Sequence, residues 1–419
     1  MRIIVVGGGI IGATSALALA ERGHEVELVE ARGNIAEGTS HANGGGITPL
    51  HSEPWNSPGL FSSLFAYMGR KSAPWRLPVW QLPALRRWGA RFLAQSRRDR
   101  FVDNARANIR LGLYSLECLQ RWCQRYEFDY AQTVAGSMQL FHDRQALAQA
   151  LALRRQLIED PGQVVPLDRS GLVAQEPALA PVADQLAGAL YFPAHQSGDA
   201  ARFAILAARQ AEKLGAVFSF NEKAQALKFD RNRFRALQTD RRLIEADACV
   251  VAAGSDSPGL LAGTGIQLPI QPVRGYSATF HIDSAEHLPR LPLLDVAHRF
   301  VTLRLQENGF RIAGLADFAG HKRAVAPGRM DVMLEGARRL FPDLADQLTP
   351  ARGRLWAGLR PVTPDGRALL GKTSAEGVFV NAGHGPMGWT MACGSADLLS
   401  ALVDGRPPGI AAEPYSPQR

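Results

Sequence analysis

Four cysteines in 419 residues (Cys118, Cys123, Cys249 and Cys393) form no C-x-x-C pair and have no partnered histidine spacing. That excludes a disulfide scaffold and a zinc-ribbon arrangement, so buried thiols in a reducing compartment and no metal are expected. No window approaches 18 consecutive apolar residues, so no membrane-spanning helix is expected. The apolar N-terminal run is already used as strand, loop and helix, which speaks against a cleaved leader. Internal repeats and low-complexity tracts are absent. The net charge is +8 and the pI about 9.6, yet no block of consecutive basic residues exists, so nucleic acid is not an expected partner. With 46% hydrophobic and 21% charged residues, the chain reads as a globular cytoplasmic protein long enough for two domains.

What is present starts at the first residue. Arg2 to Val6 is a β-branched run that leads into Gly7-Gly8-Gly9-Ile10-Ile11-Gly12, a G-x-G-x-x-G match. A helix closed by Gly23 follows, then a strand from Val26 to Val29 ending at Glu30. The first glycine permits the tight turn, the second lets the backbone approach a pyrophosphate, and the third lets helix and strand pack closely. The helix N-terminus offers free N–H groups to phosphates. Glu30 stands where an acid binds ribose hydroxyls and repels a 2′-phosphate. The order of strand, glycines, helix, strand and acid predicts a dinucleotide site. Beyond it, Gly38 to Gly46 (GTSHANGGG) is a glycine-dense polar loop suited to close backbone approach.

Trp55 to Arg98 is proline- and tryptophan-rich, and Leu82 to Phe92 predicts a basic aromatic helix suited to a lipid surface or a lid. Asp103 to Tyr126 predicts a long helix. Gly136 to Phe141 predicts a strand, and Asp199 caps a helix reaching Leu214. Lys223 to Glu245 predicts a three-stranded meander, followed by a buried strand from Asp247 to Ala252. That strand runs into Ala253-Gly254, a small-residue turn that can pass close to a cofactor. Ile270 to Ile282, Arg299 to Leu305 and Phe310 to Leu315 alternate as strands. In Trp356 to Gly366, Pro361 and Pro364 hold the backbone so that Arg360 offers a fixed fork for a carboxylate. Finally, Val378 to Asn381 leads into Gly383-His384-Gly385-Pro386-Met387-Gly388 and a helix beginning at Trp389, an anion-stabilising geometry.

These motifs, with RGYS (Arg274 to Ser277), WAGLRPVTPDGRALLG and NAGHGPMGWTMACGS, resemble the FAD-dependent D-amino-acid oxidase superfamily, and within it the bacterial D-amino-acid dehydrogenases. The resemblance implies an α/β fold: a doubly wound, Rossmann-like FAD-binding domain with an inserted α+β substrate domain holding a mixed, largely antiparallel sheet. The implied segments are 1–55, 195–262 and 355–419 for FAD, and 56–194 and 263–354 for substrate. Implied contacts to non-covalent FAD run from Gly7, Gly9, Ile10, Ile11 and Gly12 through Glu30, Ala31 and Arg32. They continue with Ser40, Ala42, Asn43, Gly44 and Gly45, then Lys223, Ala224, Ala253 and Gly254. The C-terminal contacts are Gly358, Arg360, Gly383, His384, Gly385, Met387, Gly388, Trp389 and Thr390. Arg360 matches the arginine that binds the substrate carboxylate, and Tyr276 and His384 are the other candidate catalytic residues. Implied partners are a D-amino acid and a quinone or other electron acceptor, with peripheral contact at the cytoplasmic membrane face.

Two departures stand out. The dehydrogenases read N-A-G-Q where this chain has Asn43-Gly44-Gly45-Gly46, and T-L where it has Pro386-Met387. Loss of the glutamine enlarges the expected pocket toward cyclic substrates such as D-proline or D-hydroxyproline. A nicotinamide-linked dehydrogenase, a sarcosine- or glycine-oxidase-like enzyme and a non-catalytic nucleotide-binding scaffold remain the alternatives.

Overall fold

A computed structural model describes residues 1–58, 73–306 and 308–419. The stretch 59–72 of the proline- and tryptophan-rich region lies outside the described residues. Two large sheets carry the chain. The first has six strands in the order Leu369–Lys372, Val378–Ala382, Ala248–Val251, Arg2–Val6, Glu25–Val29 and Val217–Ser219. All its pairings are parallel except that of Leu369–Lys372 with Val378–Ala382. Its central strand, RIIVV, is buried from Ile3 to Val6, as expected for a strand covered on both faces.

The helix Ile10–Glu21 packs against Ala200–Lys213 and Gly388–Val403, and its core cluster includes Ala13, Ala16, Leu17, Phe203, Ala207, Ala392 and Ala396. Alanines at these contacts let the helices approach closely. Hydrophobic nearly all round, this first helix is buried rather than amphipathic. The meander forms as expected, with Ala224–Asp230, Arg233–Thr239 and Leu243–Glu245 in an antiparallel sheet of three strands.

The second large sheet has nine strands. Gln271–His281 is its longest, paired antiparallel with Arg354–Val362 on one side and Gly309–Asp317 on the other. Two placements differ from the expected division of the chain. Arg354–Val362 sits in this sheet, not with the nucleotide-side strands, because its partner along the whole length is Gln271–His281. The long helix, Arg98–Tyr126, bridges both units. Phe101, Val102 and Ile109 pack with Phe141 and Phe192, whereas Leu116, Leu119 and Trp122 join the core of the first helix. Among the described residues no helix is long and apolar enough to cross a membrane.

Candidate active site

The N-terminal glycines close tightly on their surroundings. Gly7 has φ +112°, and a Cβ there would lie 2.7 Å from the Ala252 carbonyl oxygen, so the turn Ala252–Gly254 runs against the loop. A Cβ on Gly12 would stand 1.7 Å from the Gly7 carbonyl oxygen. Helix and strand therefore touch backbone to backbone at this point, which only glycine permits. The helix that follows has neither a side-chain cap nor an acid in its first turn. Its Ile10 N–H donates to Ser40 Oγ at 3.0 Å, which ties in the second glycine-dense loop.

Glu30 is buried at the end of its strand and accepts from the Gly8 N–H at 2.5 Å and the Arg32 N–H at 2.8 Å. The Asn221 N–H donates to the Arg32 carbonyl and that of Glu222 to the Glu30 carbonyl, which brings Lys223 and Ala224 alongside Glu30, Ala31 and Arg32. Expected residues from five separate stretches thus meet at the carboxyl ends of the parallel strands. That is where open α/β sheets bind ligands.

The loop from Gly38 to Thr48 joins the first helix, the Arg360 strand and the last helix. Thr39 Oγ1 donates to the Leu359 carbonyl at 2.8 Å, beside Arg360. Ser277 Oγ donates to the Ala42 carbonyl, and an Arg311 Nη1 to that of Asn43. Trp389 Nε1 donates to the Gly45 carbonyl at 3.2 Å, and Thr390 Oγ1 accepts from the Thr48 N–H at 3.1 Å. Added Cβ atoms on Gly44 and Gly45 would strike Val301 and Leu303 at 2.9 and 2.0 Å. The room these glycines leave is therefore taken by the sheet beneath. Gly383 has φ +78° and Gly385 φ +55°, and Gly385, Pro386 and Met387 form the single turn that feeds the last helix. That helix, like the first, has no bond from its own N-cap side chain and no acid in its first turn, so two helix N-termini without a local acid flank one loop.

Arg360 lies on Arg354–Val362 opposite Val273. The space above Gly275 receives its guanidinium, since a Cβ there would come within 2.1 Å of Nη1. Nη1 donates to the Leu315 carbonyl at 2.8 Å, and the Trp55 ring lies 5.7 Å from Cζ. Leu315 has φ +57°, at the point where the register between Gln271–His281 and Gly309–Asp317 slips. Burial pulls the guanidinium down to about 10, partly offset by Asp317, so Arg360 remains a cation at neutral pH. Strand pairing therefore fixes it more than Pro361 and Pro364 do.

Two of the three candidate catalytic side chains are placed elsewhere. Tyr276 follows Gly275 on the strand, so alternation turns it to the opposite face. There its hydroxyl donates to Asp317 Oδ2 at 2.5 Å, inside a core with Arg274 and Arg329 over the ring. Burial and the Asp317 carboxylate push this phenol well up, so it is a structural donor. His384 is likewise buried, with Nε2 3.0 Å from Ser395 Oγ, and burial lowers it to about 3. Its backbone still bridges Val362, which keeps the C-terminal loop against the Arg360 strand. Trp55, Gly275 and Leu315 were not expected at the site. A tryptophan after Pro54 and the glycine of RGYS are their sequence traces, but strand pairing brings Gly275 and Leu315 to Arg360 and a loop brings Trp55.

Comparison with known proteins follows the same lines. A family model described as FAD dependent oxidoreductase matches residues 2–402. The D-amino acid dehydrogenase of Paramagnetospirillum magneticum is 40% identical over 412 residues, covering 98% of this chain and 96% of that protein. A D-amino acid dehydrogenase of Vibrio cholerae is 36% identical over 404 residues, covering 96% and 95%. Among solved structures, L-proline dehydrogenase from P. horikoshii superposes with a TM-score of 0.78 at 18% identity, covering 100% of this chain and 97% of that one. Glycine oxidase from Geobacillus kaustophilus gives 0.76 at 23% identity, covering 100% and 99%. At these identities the two structures speak for the fold alone.

Proposed function

This chain belongs to the FAD-dependent oxidoreductase family, and on that premise we propose that it oxidises the α-amine of a D-amino acid to an imine. The residues present suit FAD. Gly9 leaves open space, its nearest neighbour being Ser40 Oγ at 3.6 Å, Glu30 is a buried carboxylate at its strand end, and neither the first nor the last helix has an acid in its first turn. In this reading Gly7, Gly9, Ile10, Gly12, Glu30 and Ala31 hold the adenosine diphosphate half, with Lys223 and Ala224 beside it. The 40–45 loop and residues 383–390 hold the ring half. Bound FAD supplies the two-electron acceptor for the hydride that leaves Cα.

The chain's part is to bind and orient. Arg360 takes the substrate carboxylate in a two-pronged contact and so fixes which face of Cα is presented. The N-terminus of Gly388–Val403 sets positive potential against charge developing at the ring half. No side-chain base is assigned: the substrate ammonium gives its proton to solvent and reacts as the neutral amine, the iminium left by hydride loss sheds a proton to solvent, and water then converts the imine of a primary amine to 2-oxo acid and ammonia. The observation that carries the reading is the Gly38–Thr48 loop, in contact with Ile10, Leu359, Trp389 and Thr390 at once.

The acceptor and location extend the proposal. Leu82–Ala94 buries only Leu85, while Val79, Trp80 and Leu82 are 79%, 60% and 48% exposed beside Arg86, Arg87 and Arg91. Trp88 Nε1 donates to the Val362 carbonyl, so this basic apolar face lies close to the site. Such a face suits peripheral docking on an anionic membrane with a quinone as acceptor. A panel of D- and L-amino acids, including D-proline and D-hydroxyproline, assayed with a soluble quinone tests the proposal. Turnover confined to D-substrates is expected; no turnover of any amine would end it, and inert D-proline would end the cyclic preference.

A further inference from the structure

Three metal-binding side chains meet outside the site described so far. Asp295 ends the strand Leu293–Asp295, and His298 lies in the turn before Phe300–Leu305. His142 directly follows Ser137–Phe141, which pairs in parallel with Leu293–Asp295. This parallel register, Leu293 beside Met138 through Asp295 beside Leu140, brings His142 to a carboxylate 153 positions away. His142 Nε2 stands 3.0 Å and His298 Nδ1 2.9 Å from the same oxygen, Asp295 Oδ2. The three donor atoms all lie within 4.8 Å of one another.

The supports of these groups are in place. Asp295 Oδ1 accepts the His298 backbone N–H at 2.9 Å, so the carboxylate cannot turn away. The backbone of Gln185 also lies against the His142 ring. Asp295 is fully buried, while the side chains of His142 and His298 are 30% and 35% exposed. One side of the cluster therefore opens to water.

Two imidazoles and a carboxylate, oriented by further hydrogen bonds and open on one side, make the donor set of a tetrahedral zinc site completed by water. Small rotations of the two partly exposed rings, opening the 3.0 and 2.9 Å contacts slightly, would bring the donors to the roughly 3.4 Å edge that zinc–ligand distances near 2.1 Å require. We propose that His142, Asp295 and His298 bind one divalent transition-metal ion of the zinc class. Its place in the fold gives it a role. The parallel pair is the seam between the antiparallel strands of 271–362 and those of 137–192, and parallel pairing is the weaker kind. A metal ion would clip that seam. His298 packs against Gly336, on the helix-covered face of the sheet and opposite the Gly275 face that receives Arg360.

The test uses the flavin-loaded enzyme, stripped with chelator and equilibrated with Zn2+, with bound metal measured after dialysis. One ion per chain is expected in the wild type, with affinity at least 100-fold weaker in both His142→Ala and His298→Ala. Co2+ in the wild type should give the intense visible bands of four-coordination, absent from both variants. Zn2+ should raise the melting temperature of the wild type alone, with flavin reduction by substrate unchanged in all three. No bound ion in the wild type, or equal binding in wild type and variants, would overturn the proposal and leave a hydrogen-bonded His–Asp–His cluster.

Discussion

Gly275→Ala isolates the carboxylate fork without touching it chemically. Gly275 faces Gly358 in a regular antiparallel pair, and its φ is not positive, so the backbone accepts alanine. The new methyl would stand 2.1 Å from Arg360 Nη1, 2.3 Å from Cζ and 2.5 Å from Nη2. Ordinary contact needs more than an additional ångström, so the guanidinium must leave its place and its 2.8 Å bond to Leu315. What moves is the end of a flexible side chain, so melting temperature and FAD content should hold. Function should not. A hydrogen bond to a charged group is worth about 1.5–3 kcal/mol. Losing one prong of the fork should thus raise KM roughly 10- to 150-fold. Steady-state kinetics with a D-amino acid and its amide, beside flavin absorbance and a melting curve, make the assay. The acid should suffer and the amide should not. An unchanged KM for the acid, with flavin bound, would refute the placement of Arg360.

Other outcomes follow from the same geometry. Gly12→Ala drives a methyl into the Gly7 carbonyl and should yield unstable protein without flavin. Gly9→Ala, whose nearest neighbour is Ser40 Oγ at 3.6 Å, should fold normally yet bind FAD weakly; equal FAD content in that variant would contradict the phosphate role. Tyr276→Phe deprives the buried Asp317 of a donor and should cost about 1–3 kcal/mol in denaturant melts with KM unaltered. A KM change at full stability would return Tyr276 to the pocket. Burial lowers His51 well below its usual range and His195 and His384 to about 3. The unfolded chain therefore binds three more protons as pH falls below about 6.5, and stability should drop by roughly 1.4 kcal/mol per pH unit for each. Denaturant melts between pH 7 and 5 measure the slope; a flat profile would show these imidazoles solvated.

Legibility in the sequence followed range. Gly7 to Glu30 is a local grammar in which strand, turn, helix and acid fall within one short stretch, and the structure brings them together as read. The meander and the capped helix after Asp199 were equally local, and Asp199 accepts from the Ala201 and Arg202 N–H groups. Tyr276 was misplaced because its face depends on which residue Arg360 pairs with, and pairing across some 90 positions leaves no periodic trace. His384 looked available because a glycine-rich loop reads as open, whereas packing against Ser395 buries it. The long helix carries apolar residues on more than one side, so its period showed a helix but not its two partners. His142 and the Asp295–His298 pair share no spacing at all, and only the parallel register unites them.

The central claim is that glycines from both ends of the chain hold one flavin beside Arg360. Anaerobic mixing of the purified enzyme with D-alanine or L-alanine, followed by flavin absorbance in the wild type and Arg360→Ala, tests it most directly. The account predicts rapid bleaching by the D-enantiomer alone, and a variant that keeps its yellow colour but needs far more substrate to bleach. A colourless protein, or a flavin that bleaches equally well without Arg360, would contradict it.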